Sequence, residues 1–218
     1  MATLIELKKE LVEDFGYGKS DFLNDKGKAL TFKQVEKKLN EEKAKLAKVK
    51  SVSALDEFDE KVEESETARF KDDDMITVMS GVNGSFVHNS KAGNGKFEFR
   101  GFGQKGKMPY KELKSINNVT HATLEKGWLL ILNKEIISEF NLEDVYAKFL
   151  TPNKVDEILN IRTSEIREII ENLAPSARTV LFDEARKRLA TGELDSAFIE
   201  KTFEDMYNVS LDDNLPVH

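Results

Sequence analysis

The chain has 218 residues, with 33 Lys or Arg against 40 Asp or Glu, three His, one Trp, no Cys and a formal charge of -7. The absence of Cys excludes disulfides, thiol nucleophiles, iron–sulfur centres and Cys-based zinc sites, and three scattered His argue against a His-based metal site; no catalytic, cofactor or metal residue is assigned. Counted in blocks, 1–50 holds 12 basic and 9 acidic residues, 51–74 holds 3 and 10, 75–150 holds 10 and 7, and 151–218 holds 8 and 14, or +3, -7, +3 and -6. This alternation suits complementary contacts between modules or between copies of the chain better than a dedicated nucleic-acid binder.

From Leu4 to Phe15 the residues Leu4, Ile5, Leu7, Leu11, Val12 and Phe15 recur at helical spacing, which predicts an amphipathic helix. Thr3 and Glu6 are spaced as a capping box, and Gly16 or Gly18 should end the helix. A polar, turn-rich connector with Gly27 leads to Thr31, which should cap a second helix carrying Phe32, Val35 and Leu39. Leu46 and Val49 extend its apolar edge, and Leu55, Phe58 and Val62 allow another short amphipathic stretch. Residues 63–74 read as an exposed, charged linker that leaves the N-terminal unit mobile.

At Met75 the period changes. MITVMSG, SFVH and KFEFRGF read as strands, and seven of the twelve Gly fall between positions 81 and 106, the composition of a strongly curved antiparallel sheet or open barrel. Phe97, Phe99, Phe102 and Trp128 are the expected core anchors. The segment GFGQKGK lacks the spacing of a phosphate loop, since Met108 stands where a magnesium-binding hydroxyl is needed. PYKELKSINN reads as one or two helical turns, Trp128 to Leu132 as a buried strand, and Lys134 to Phe140 as a short helix. Neither His121, His88 nor His218 has a sequence neighbour that makes a catalytic pair. Beyond Thr151, helices are expected from Pro152, over Thr163 to Leu173, from Pro175 or Ser176 to Ala190 with Gly192 as the stop, and over Leu194 to Tyr207. A helix-turn-helix at ILNIRTSEIREIIENL is rejected because Glu165, Glu168 and Glu171 would face DNA.

The fold class expected is α+β. Its parts are a small N-terminal helical unit with an extended second helix (1–50), an acidic linker (51–74), a small α+β module with a curved antiparallel sheet (75–150) and a helical bundle module (151–218). The leucine-bearing first helix, glycine-marked connector and ALTFKQVEKKL helix resemble helix–extension–helix modules related to SAP and LEM domains. That resemblance implies binding of nucleic acid or a protein partner. The run ITVMSGVNGSF, KFEFRGFG, MPYKELKSINN and WLLILNKEII resembles accessory structural proteins of tailed bacteriophages. This implies a non-enzymatic virion protein that bridges protein surfaces at the capsid or neck. Its partners would be other virion proteins, such as the major capsid or neck proteins, or further copies of itself. Its place would be the virion, with the host cytoplasm as the site of assembly. The alternative is a nucleic-acid-associated regulatory or packaging protein whose Lys33, Lys37, Lys38, Lys43, Lys45, Lys48 and Lys50 contact phosphates. No membrane partner is expected, because no apolar run approaches the roughly 18 residues of a spanning helix.

Overall fold

The structure is a computed structural model that describes residues 3–51, 70–90, 93, 95–194 and 197–208. It is α+β, and its contacts divide the chain into two compact units. One unit comprises Met1–Ser51, Asp156–Glu171 and Ala185–His218, and the other Val52–Val155 and Asn172–Glu184.

In the first unit, α1 (Leu4–Phe15) begins on the predicted capping box. The Glu6 N–H donates to Thr3 Oγ1 at 3.3 Å, and the Thr3 N–H donates to Glu6 Oε2 at 2.6 Å. That backbone donor holds the Glu6 carboxyl below its ordinary range. Gly16 ends the helix with φ 64°, a left-handed conformation that glycine adopts without steric penalty. The connector holds a 3-10 turn over Lys19–Phe22 and an antiparallel bridge between Leu23 and Ala29, so it is more structured than a plain extended segment. The second helix, α2 (Phe32–Ser51), follows Thr31, whose N–H and Oγ1 both donate to Gln34 Oε1 in the first turn, each at 2.9 Å. Leu7, Leu11, Phe15, Phe22, Leu30, Val35 and Leu39 close into one apolar cluster, with Leu4, Tyr17 and Leu46 packed against it. Among the described residues, every member of that cluster comes from positions 4–46. The remaining elements of this unit are the C-terminal part of α7 (Pro152–Leu159), α8 (Ile166–Glu171), the end of α9 (Pro175–Thr191), and α10 (Ala197–Tyr207). Gly192, at φ 72°, follows α9 as the spacing predicts.

The second unit is built on β1 (Met75–Ser80), which lies between β4 (Lys105–Pro109) and β5 (Leu129–Ile131) in an antiparallel three-stranded sheet. Central position explains why Val78, Met79 and Ser80 are buried in succession instead of alternating. A separate two-stranded sheet pairs β2 (Phe86–Asn89) with β3 (Lys96–Phe99). The curved single sheet expected from the glycines is therefore two sheets. β4 lies where the sequence suggested only a glycine loop. Its KGKMP carries one large apolar side chain, Met108, so it gives no alternating signal; it pairs because β1 supplies the register from Met75 opposite Pro109 to Met79 opposite Lys105. Pro109 closes this edge strand, where a missing N–H is tolerated.

α3 (Tyr110–Val119) follows directly and buries Tyr110, Leu113 and Ile116, running longer than the one or two turns expected. α4 (Ala122–Glu125), α5 (Lys134–Glu139) and α6 (Glu143–Tyr146) complete the unit together with the first part of α7 and the segment 172–184. The fully buried Tyr146 hydroxyl covers the outer edge of β5, accepting from the Ile131 N–H at 3.3 Å and donating to the Leu129 carbonyl at 3.4 Å. Burial pushes that hydroxyl well above the ordinary tyrosine value.

Three further expectations change. The C-terminal residues do not form one bundle module. α8 packs with α10 in the first unit, whereas the second unit holds 172–184 through Ser176 Oγ donating to the Lys126 carbonyl at 2.7 Å and the Ala174 N–H donating to the Lys148 carbonyl at 3.0 Å. Helical period identifies an apolar stripe but not the surface that will bury it. Among the expected core anchors, only Phe99 is buried; Phe97 and Phe102 are half-buried, and Trp128 is 42% exposed. Trp128 stands at the first position of its apolar run, just outside β5, and Leu129, Leu130, Ile131 and Leu132 fill the core instead. Finally, residues 70–74 are tied down. The Tyr110 N–H donates to the Asp74 carbonyl at 2.8 Å, and the Phe70 ring lies 5.4 Å from that of Tyr110. The stretch with Leu55, Phe58 and Val62, and the remainder of the acidic linker, lie outside the described residues.

Candidate functional site

The seven lysines singled out as phosphate contacts all lie on α2, but the structure engages most of them within the chain. Lys38 donates to the Asp21 carbonyl at 3.0 Å and sits 5.4 Å from the centroid of the Tyr17 ring. Lys43 pairs with Glu10, and Lys45 with Glu42 at 2.9 Å. Lys48 pairs with Glu157 at 2.6 Å and Lys50 with Glu165. Lys37 lies 3.6 Å from Glu41. Lys33 and Lys37 line an open groove on the outer face of α2 together with Glu36 and Glu41, which offset their charge.

These pairs also account for part of the alternating block charge. Lys48 and Lys50, from the first basic block, meet Glu157 and Glu165 of the last acidic block. Asp72 and Asp73, from the acidic block that precedes β1, meet Lys114 at 2.5 Å and Lys111 at 2.7 Å on α3. The alternation was open to contacts between copies or between modules. These four pairs are contacts within one chain, and each joins residues inside a single unit.

Tyr17 is the centre of a second polar group. Its hydroxyl donates to Glu42 Oε1 at 3.1 Å, and the Arg162 guanidinium lies 5.3 Å from its ring centroid while donating to Asp21 Oδ2 at 3.3 Å. Burial first, and then the Glu42 carboxylate, push the Tyr17 hydroxyl up to about 12. Tyr110, buried and bonded to Glu139 Oε1 at 2.5 Å, is likewise raised to about 12. A phenol whose folded value exceeds the unfolded value of about 10 favours the native state at every pH below that value. The contribution is lost as pH rises from about 10 to about 12. Following tyrosinate absorbance should therefore show Tyr17 and Tyr110 ionising near 12 in the native protein and near 10 in urea; ionisation of both near 10 without unfolding would contradict these environments.

A third group was not visible in the sequence. Glu112, in the first turn of α3, is only 1% exposed. Ser90 Oγ donates to its Oε1 at 2.6 Å, and His88 Nε2 lies 3.1 Å from its Oε2. The His88 ring stacks on Phe97 with centroids 6.2 Å apart. The carboxylate thus stands between serine and histidine. A nucleophilic triad instead needs the histidine between serine and carboxylate, so that imidazole can take the hydroxyl proton. Chemically, the observed order is a polar tie from the β2 end to α3. The 22 to 24 residues separating its members explain why local motif reading missed it. His121 has its own local partners, with Nδ1 2.6 Å from Asn117 Oδ1 and Nε2 3.3 Å from Glu125.

Among the described residues, no group of three or more His, Asp or Glu side chains is placed to hold a metal ion, and no helix is long and apolar enough to cross a membrane. No known protein family, curated protein or solved structure matches the chain.

Proposed function

We propose that the protein is a non-enzymatic assembly protein of a tailed-phage particle, joining protein surfaces at the capsid or neck. The observation that supports a protein-binding role is the outer side of α1. Leu7, Leu11 and Phe15 of this helix face the core, whereas Ile5 is 79% exposed and Val12 47% exposed. Seven residues separate the two, so they lie on one side of the helix, two turns apart. Single exposed apolar residues are ordinary, but an aligned pair on a capped helix is a usable contact edge. The assignment to a phage particle rests on the sequence resemblance.

The test is affinity capture from phage-infected lysate, with mass-spectrometric identification of bound proteins and light scattering of the purified chain to detect self-association. The wild type should retain a capsid or neck protein, and Ile5→Asp with Val12→Asp should reduce capture at least tenfold while leaving the circular dichroism spectrum unchanged. Equal capture by both forms, or capture of no virion protein, defeats the proposal. The phosphate-binding alternative receives less support, because intrachain carboxylates occupy Lys43, Lys45, Lys48 and Lys50.

A further inference from the structure

The first unit contains a seam of a different character from its cores. On one side, residues 3–51 close an apolar cluster whose described members all come from positions 4–46. On the other side lies the segment 156–165. Apart from the buried Val49, the ties across the seam that the described residues show are polar: Lys48 to Glu157 at 2.6 Å, Lys50 to Glu165, Arg162 to Asp21 at 3.3 Å with its guanidinium over Tyr17, and the Ser164 N–H donating to the Asp14 carbonyl at 2.6 Å. Packing at the seam is incomplete. A cleft of about 280 Å³ opens there, lined by Lys45, Lys48, Val49, Asp156, Glu157 and Asn160, with Val49 its one apolar side chain.

We propose that residues 3–51 are a detachable module, held on the segment 156–165 by an ionic latch that opens when its charge pairs are screened or reversed. The apolar cluster keeps the module folded when the latch opens, because among the described residues no cluster member crosses the seam. Lys48 and Lys50 keep half or more of their side-chain surface in water, so added salt weakens their pairs strongly. Opening would uncover Lys45, Lys48 and Lys50 on one side and Glu157 and Glu165 on the other. The latch is a property of this chain alone and holds whichever partner the protein binds.

The absence of native Cys permits a direct test on the full chain. Nitroxide labels at Lys9→Cys on α1 and Glu168→Cys on α8, both exposed positions, report the separation across the seam by double electron–electron resonance. At low salt the distance distribution should be narrow. In about 1 M NaCl, where the screening length falls to about 3 Å, it should broaden and lengthen with no loss of helical circular dichroism. Lys48→Glu with Lys50→Glu should give the broad distribution already at low salt, and adding Glu157→Lys with Glu165→Lys should narrow it again. A distribution that stays narrow in high salt overturns the proposal. So does a broad distribution in the reversed variant that the charge swap fails to narrow. The salt arm uses only the labelled parent, so it stands even where a charge variant fails to fold.

Discussion

Replacing Gly127 by alanine is expected to destabilise the sheet unit by about 3–5 kcal/mol, enough to unfold it under mild conditions. Two effects coincide at this position. Gly127 has φ 66°, a left-handed conformation that costs an L-residue about 1–2 kcal/mol. A Cβ there would also collide with the Phe149 ring, which is itself buried and stacks edge-on against Tyr146 at 5.6 Å between centroids. The ring cannot swing into water without uncovering the tyrosine that satisfies the edge of β5. Gly81 belongs to the same contact, since a Cβ on it would overlap the Gly127 carbonyl. Gly81→Ala should therefore be comparably damaging although its own φ needs no glycine. The control is Gly27→Ala, where φ is 68° but nothing lies within 4 Å of the added methyl, so only the backbone cost of about 1–2 kcal/mol remains. Urea unfolding followed by fluorescence of Trp128, the single tryptophan, reads the sheet unit directly, and circular dichroism reads the Gly27 control. Equal midpoints for Gly127→Ala and wild type would show that the Phe149 contact yields cheaply and that the close approach is not required.

The contrast between Gly127 and Gly27 also shows what the sequence could reveal. Glycine-rich composition announces turns between 81 and 106, and Thr3 with Glu6 marks the start of α1 and narrows its end to Gly16 or Gly18, of which Gly16 is the cap, because capping is decided by residues three or four apart. β4 was hidden because a strand with one large apolar residue is defined by its partner, here β1, and not by its own pattern. Trp128 was misplaced for a related reason: a continuous apolar run shows that a strand is buried but not which end emerges. The lysines of α2 suggest phosphate contacts only as an alternative, and local sequence shows Glu36, Glu41 and Glu42 as their counter-charges; Glu157 and Glu165 lie beyond the reach of any local rule. Charge counted by block did carry the signal. A basic block and an acidic block separated by more than a hundred residues met in the fold, and the count could not say whether they would meet in the same chain or in two.

Glu112→Ala should cost the second unit about 3 kcal/mol, the scale expected when a buried hydrogen-bond acceptor is removed and a cavity is left in its place. The loss has two parts. Ser90 Oγ and His88 lose their shared acceptor in a place that the α3 carboxyl had filled, and a cavity of about four heavy atoms remains. Glu112→Gln separates these parts, because the amide nearly preserves volume and one acceptor oxygen while removing the charge. It should therefore cost about half as much. A double-mutant cycle with His88→Ala isolates the pair, and a coupling above about 1 kcal/mol identifies the imidazole–carboxylate contact as a true tie between the β2 strand and α3. Unfolding by urea with Trp128 fluorescence supplies each corner of the cycle. If Glu112→Ala unfolds at the wild-type midpoint, the carboxylate is a spectator and the three-residue group holds nothing together. If the coupling is absent while the alanine variant is still weak, the stabilising contact is with Ser90, and the histidine is carried along by its stacking on Phe97.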